Sequence, residues 1–183
     1  MRRLLAAVMM AVSILVAPMT APSAALAAPL EGPGAAPAEA PAPAYLDQLL
    51  NEINARRAKL GTPALIYAGS DANLAVTQYL TDLTPLMKAR RLCFHGNGNP
   101  VAPGWDYVAA SGFNAKVGGE VLGCYGDNFY WTPQQIADGW WASPSHFSSL
   151  YADPKANAVA CGAFSAGNGG KGYQTVACVT YRL

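Results

Sequence analysis

Leu46, Leu49, Leu50 and Ile53 recur at i, i+3, i+4 and i+7, which predicts an amphipathic helix ending before Gly61 and Pro63. The same period returns in Val76, Tyr79, Leu80 and Leu83, predicting a second helix that starts near Ser70 as N-cap and is ended or kinked by Pro85. Between Leu92 and Asn128 neither helical nor strand period is sustained, and Gly, Asn, Pro and aromatic residues dominate. That predicts a long irregular segment, of the kind that is functional or disulfide-pinned inside a compact domain. Thr132-Pro133-Gln134-Gln135 carries an N-cap, proline at the first helical position and Gln at the third, so a helix begins there with Ile136 and Trp140 on its apolar face. It must stop before Pro144. Ala158 to Phe164 and Tyr173 to Tyr181 read as strands joined by the turn residues Gly167-Asn168-Gly169-Gly170. Helices first and a hairpin last predict an α+β domain with a small sheet and helices packed on it.

The ends of the chain change that picture only at the N-terminus. Met1-Arg2-Arg3, an apolar run from Leu4 to Val16 and Ala25-Leu26-Ala27 follow the order of a secretory leader, so residues 1–27 are expected to be removed after Ala27. The apolar run is too short for a spanning helix. Residues 28–44 are nearly all Ala and Pro and read as a linker, leaving 45–183 as one domain large enough for its own core. An exported chain, extracellular or periplasmic, with no transmembrane segment after cleavage and existing as a monomer, is the expectation.

Charge excludes little but points away from nucleic acid. The formal net charge is +1, and it becomes −1 once Arg2 and Arg3 leave with the leader. Lys88, Arg90 and Arg91 fit the solvated end of a helix, where cations suit the dipole. The 4 cysteines of an exported chain favour disulfides over thiols. If the terminal turn centres on Gly169-Gly170, Cys161 and Cys178 face each other, which leaves Cys93 for Cys124; four cysteines nevertheless allow three pairings.

Only 2 histidines occur, His95 and His146, each in a loop-like motif, with Gly119-Glu120-Val121 between them. Two imidazoles and a carboxylate are a minimal set for metal binding or acid–base work. The competing reading is structural: the same groups hydrogen-bond irregular backbone that has no ladder to satisfy it. There is no Gly-x-Ser-x-Gly, phosphate loop or His-Glu-x-x-His. Ser143 or Ser145 beside His146 makes a poor nucleophile pair, because Pro144 fixes a turn between them. Trp140 and Trp141 point about 100° apart on a helix, so Trp140 is expected in the core and Trp141 partly outside. Tyr125, Phe129, Tyr130 and Trp131 read as a packed aromatic loop.

Taken in order, these motifs resemble the CAP superfamily of cysteine-rich secretory, antigen 5 and pathogenesis-related 1 proteins, especially its short bacterial members. Leu49-Leu50-Asn51-Glu52-Ile53-Asn54-Ala55-Arg56-Arg57 resembles the family's first helix, Phe94-His95 its Phe-x-His motif and Gly119-Glu120-Val121 its Gly-Glu-Asn. Trp140-Trp141-Ala142-Ser143-Pro144-Ser145-His146 is similar to its Trp-x-x-Ser-Pro-Gly-His segment. The resemblance covers residues 45–183 and implies a three-layer α-β-α sandwich with a small, mainly antiparallel central sheet. It further implies a cleft lined by His95, Glu120 and His146, able to hold a divalent metal such as zinc weakly; the fourth position, a glutamate in the family, is Ser143 here. The implied function is a non-enzymatic module for a lipid, sterol or cell-envelope ligand. The alternative is a metal-dependent extracellular hydrolase, with His95 and His146 as ligands and Glu120 as ligand or base.

Overall fold

The computed structural model describes residues 43–126, 130–168 and 171–183. The expected leader, nearly all of the expected linker, Phe129 and Gly169-Gly170 lie outside the described residues. In chain order the elements are α1 (Pro43–Lys59), β1 (Ile66–Tyr67), α2 (Ser70–Arg90), α3 (Gly104–Ala110), β2 (Lys116–Tyr125), α4 (Pro133–Ala142), α5 (Pro144–His146), a π-helical turn (Phe147–Tyr151), β3 (Ala158–Asn168) and β4 (Lys171–Arg182). The sheet order is β1-β3-β4-β2, with β1 parallel to β3 and the other pairs antiparallel.

Strand alternation sorts the side chains into two cores, one on each face of the sheet. On one face Val121, Val159, Cys161, Val176 and Cys178 meet Leu49 and Ile53 of α1, Ile136 and Trp140 of α4, and Leu150 and Tyr151 of the π-helical turn. On the other, Leu122, Ala158, Ala160, Val179 and Tyr181 meet Val76, Leu80, Leu83 and Met87 of α2 and Val108 of α3. The result is a three-layer α-β-α sandwich around a mixed, mostly antiparallel sheet. Each fully buried Leu, Ile or Met here contributes about 1.5–3 kcal/mol relative to exposure, so both faces must be covered for the sheet to persist.

α1 and α4 form where the apolar period places them, and α4 opens on a full capping box: Gln135 N donates to Thr132 Oγ1 (3.2 Å) and Thr132 N to Gln135 Oε1 (2.9 Å). α2 differs from expectation at both ends. Its cap residue is Gly69, at φ 137°, and Ser70 is already helical with its hydroxyl directed to Asp71. Nor does Pro85 end the helix: it sits on the exposed side, while Leu83, Thr84 and Met87 stay buried and hold the helical path to Arg90.

The largest correction is the segment from Leu92 to Asn128, which is not irregular throughout. It contains α3 and the ten-residue strand β2. Gly118, Gly119 and Gly123 weaken strand propensity in β2, yet each sits against a neighbouring side chain that crowds the place of a Cβ. A Cβ on Gly118 would come 2.7 Å from Thr180 Oγ1, and one on Gly123 would come 2.6 Å from the Tyr125 hydroxyl. A bulge between Val117 and Gly119 then shifts the register just before Glu120.

β3 and β4 pair from Ala158↔Tyr181 to Asn168↔Lys171, which puts Cys161 directly opposite Cys178, and the two are disulfide-bonded. The second bond joins Cys93 to Cys124 of β2 and ties down the loop that carries His95. Among the described residues there are no free cysteines, and no helix is long and apolar enough to cross a membrane.

Candidate functional site

Glu120 occupies β2 at the edge of the sheet, and its side chain is only 2% exposed. Three donors converge on it. The Tyr79 hydroxyl of α2 donates to Oε1 at 2.8 Å, the backbone N–H of Gly104, first residue of α3, donates to Oε2 at 2.8 Å, and His95 Nδ1 lies 2.6 Å from Oε1. The Tyr79 hydroxyl in turn accepts the N–H of Gly96 at 3.0 Å, so the residue after His95 is fixed as well. Burial first, and then the Glu120 charge, push the Tyr79 hydroxyl pKa up, so it acts only as a neutral donor.

A carboxylate can only accept, so His95 must carry its proton on Nδ1. That leaves Nε2 of a half-exposed ring pointing away from the carboxylate, the arrangement by which a buried acid orients an imidazole. Gly104 permits this cluster to close: a Cβ there would sit 2.6 Å from Glu120 Oε2 and 3.1 Å from the Tyr79 ring.

His146 lies within electrostatic range of His95. It ends the short turn α5 and meets Trp140 with ring centroids 6.4 Å apart. Its Nδ1 is buried without a hydrogen-bond partner among the described residues. Burial, and then the charge of His95, hold its pKa below the ordinary 6.5, so the neutral ring is favoured. The π-helical turn follows at once, with Ala152 N donating to Phe147 O at 3.0 Å; such turns are frequent at functional sites.

The structure therefore joins His95 to Glu120 directly and brings His146 within electrostatic reach of His95. Ser143 is not joined to these three. Its hydroxyl lies 3.3 Å from that of Ser145, and its carbonyl accepts the N–H of Phe147 at 2.8 Å. Tyr79 and Gly104 went unrecognised in the sequence: Tyr79 sits in the apolar stripe of α2, and a backbone N–H leaves no side-chain signature. Trp140 is buried and Trp141 half-buried, as their angular separation predicts. Tyr125 stacks on Trp131 with ring centroids 4.3 Å apart.

The donor set does not fit a three-ligand metal centre in this arrangement. Among the described residues no group of three or more His, Cys, Asp and Glu side chains could hold a metal ion. Both Glu120 oxygens are already acceptors, which makes that residue the orienting partner of His95.

An α-β-α sandwich stapled by disulfides, with a histidine and a glutamate paired at the edge of its central sheet, defines a class of small cysteine-bridged domains. The profile of the cysteine-rich secretory protein family, CAP, matches residues 50–181, and the chain belongs to that family. An outer surface protein from Borrelia burgdorferi superposes on it with a TM-score of 0.53 at 11% identity, covering 80% of this chain and 99% of that one. At that identity the likeness concerns the fold. No curated protein matches the sequence.

Proposed function

We propose that this chain is a non-enzymatic binding module of the cell exterior, whose cleft between His95 and His146 receives a lipid, sterol or cell-envelope component. The observation that carries the reading is the state of Glu120. A catalytic base needs a lone pair open to the reacting water, whereas this carboxylate is 2% exposed and three of its roughly four acceptor sites are taken by Tyr79, Gly104 and His95. A hydrolase would have to dismantle the contacts that hold its own loops. The two imidazoles are left to meet a ligand, His95 through Nε2 and His146 as a neutral ring, and they account for at most weak zinc binding. The two disulfides suit an exported protein.

The test is binding and turnover on the same sample of the chain lacking residues 1–27. Radiolabelled cholesterol and palmitate, offered singly, are expected to be retained by wild type and lost several-fold in His95→Ala and His146→Ala. Ester and peptide substrates are expected to stay intact with or without added zinc. Hydrolysis that requires zinc and disappears in Glu120→Gln would establish the metal-dependent hydrolase instead.

A further inference from the structure

The two disulfides stand in opposite environments. Cys161 of β3 and Cys178 of β4 are fully buried in the core on one face of the sheet. Cys93 is exposed and Cys124 half-buried, and both line a cleft of about 630 Å³ together with Lys88, Arg91, Leu92 and Tyr173. Lys88 and Arg91 are exposed and make no ion pair among the described residues, while Arg90 lies over the Phe94 ring. Met87 Sδ lies 3.3 Å from Cys124 Sγ and backs that sulfur, which leaves Cys93 as the open one.

Thiol–disulfide exchange needs access for an incoming thiolate and stabilisation of the thiolate that leaves. Neighbouring cations favour both, since each step places negative sulfur beside them. We propose that Cys93–Cys124 is an exchangeable disulfide whose cationic cleft selects small thiols bearing carboxylates. The incoming thiolate forms a bond to Cys93 Sγ, the Cys93–Cys124 bond breaks, and its electron pair leaves on Cys124, which takes a proton from solvent. The incoming sulfur is oxidised to the mixed disulfide as Cys124 is reduced. Exchange also removes the covalent tie between the His95 loop and β2. After it, the hydrogen bonds of Gly96 to Tyr79 and of His95 to Glu120, with the packing of Phe94, hold the loop without a covalent tie. The inference is independent of what the cleft at His95 binds.

The experiment uses the chain lacking residues 1–27, treated with glutathione, 2-mercaptoethanol or cysteamine at matched thiolate concentration, quenched with acid and mapped by mass spectrometry. The adduct is expected on Cys93, with Cys124 free and Cys161–Cys178 intact. Glutathione should react fastest and the cationic thiol cysteamine slowest, and high salt should erase that order. Lys88→Gln with Arg91→Asn, the asparagine chosen because Arg91 is left-handed at φ 50°, should lower the glutathione-to-cysteamine rate ratio about fivefold. Equal loss of both disulfides, an adduct elsewhere, or a ratio unmoved by salt in the wild type would overturn the proposal. The salt series needs no variant, so misfolding of the double mutant leaves the test intact.

Discussion

Arg57 is fully buried, and its guanidinium binds no carboxylate among the described residues. Nε donates to Pro63 O at 2.7 Å, one terminal nitrogen to Leu150 O at 2.6 Å, and the other to Asp153 O at 3.1 Å and Ala156 O at 2.8 Å. Burial lowers its pKa, with the Asp153 charge opposing, but a guanidinium keeps its proton throughout the working range. The planar fork suits the task because its donors point in fixed directions toward carbonyls from three segments. Arg57→Leu removes all of these donors and leaves buried acceptors bare, so a loss of about 3 kcal/mol or more is expected. Urea unfolding should show a lower midpoint at unchanged slope; a loss under about 1 kcal/mol would mean that water replaces the guanidinium at no cost. Arg57→Lys should not rescue, since a single ammonium cannot span the same carbonyls.

Elements were legible where a period was long and its residues were apolar. α1, α4 and the hairpin β3–β4 announced themselves through spacing, capping and turn residues, and the Cys161–Cys178 pairing followed from the hairpin register. β2 did not, because three glycines occupy positions where side chains of Thr180, Ser149 and Tyr125 crowd the place of a Cβ; tertiary packing and strand propensity conflict there. The two-residue β1 and seven-residue α3 are too short to show a period. In the site, the rarity of histidine exposed His95 and His146 and the glycine-flanked Glu120 was readable by motif, whereas Tyr79 was indistinguishable from core. The same conflict marks Gly162 on β3, where a Cβ would come 2.5 Å from Thr77 N and 2.7 Å from the Val76 carbonyl carbon. There the α2 backbone lies almost on the sheet. Gly162→Val should force the helix outward and cost about 1–3 kcal/mol, read from thermal unfolding, with Tyr79 drawn off Glu120 as a further effect. Unchanged stability would show that α2 shifts freely over β3.

At the scale of the whole molecule the proximity of the two imidazoles is a product of layering. Phe94, next to His95, packs into the core under α2 and α3, Trp140, the ring neighbour of His146, packs into the core under α1 and α4, and Glu120 lies in the edge strand β2 and bonds His95. The sheet holds the two imidazoles near each other, so their electrostatics report on the assembled fold. His146 titrates below 6.5 when folded, because burial and then His95 disfavour its cation, and it recovers an ordinary value when the chain unfolds. Between those two values the unfolded state binds more protons, so stability rises with pH. The contribution is complete above 6.5 and is lost as pH falls through the folded value. In His146→Gln that proton uptake is gone, and its stability curve should be flatter across the window while converging in shape with wild type at higher pH. For one proton the slope difference is at most about 1.4 kcal/mol per pH unit, within reach of urea titrations run at closely spaced pH values. Chelator in every buffer keeps adventitious metal from competing for the same nitrogen. Parallel curves for the two proteins would assign the acid sensitivity to other groups and would place His146 in water rather than in the packed edge of the sandwich.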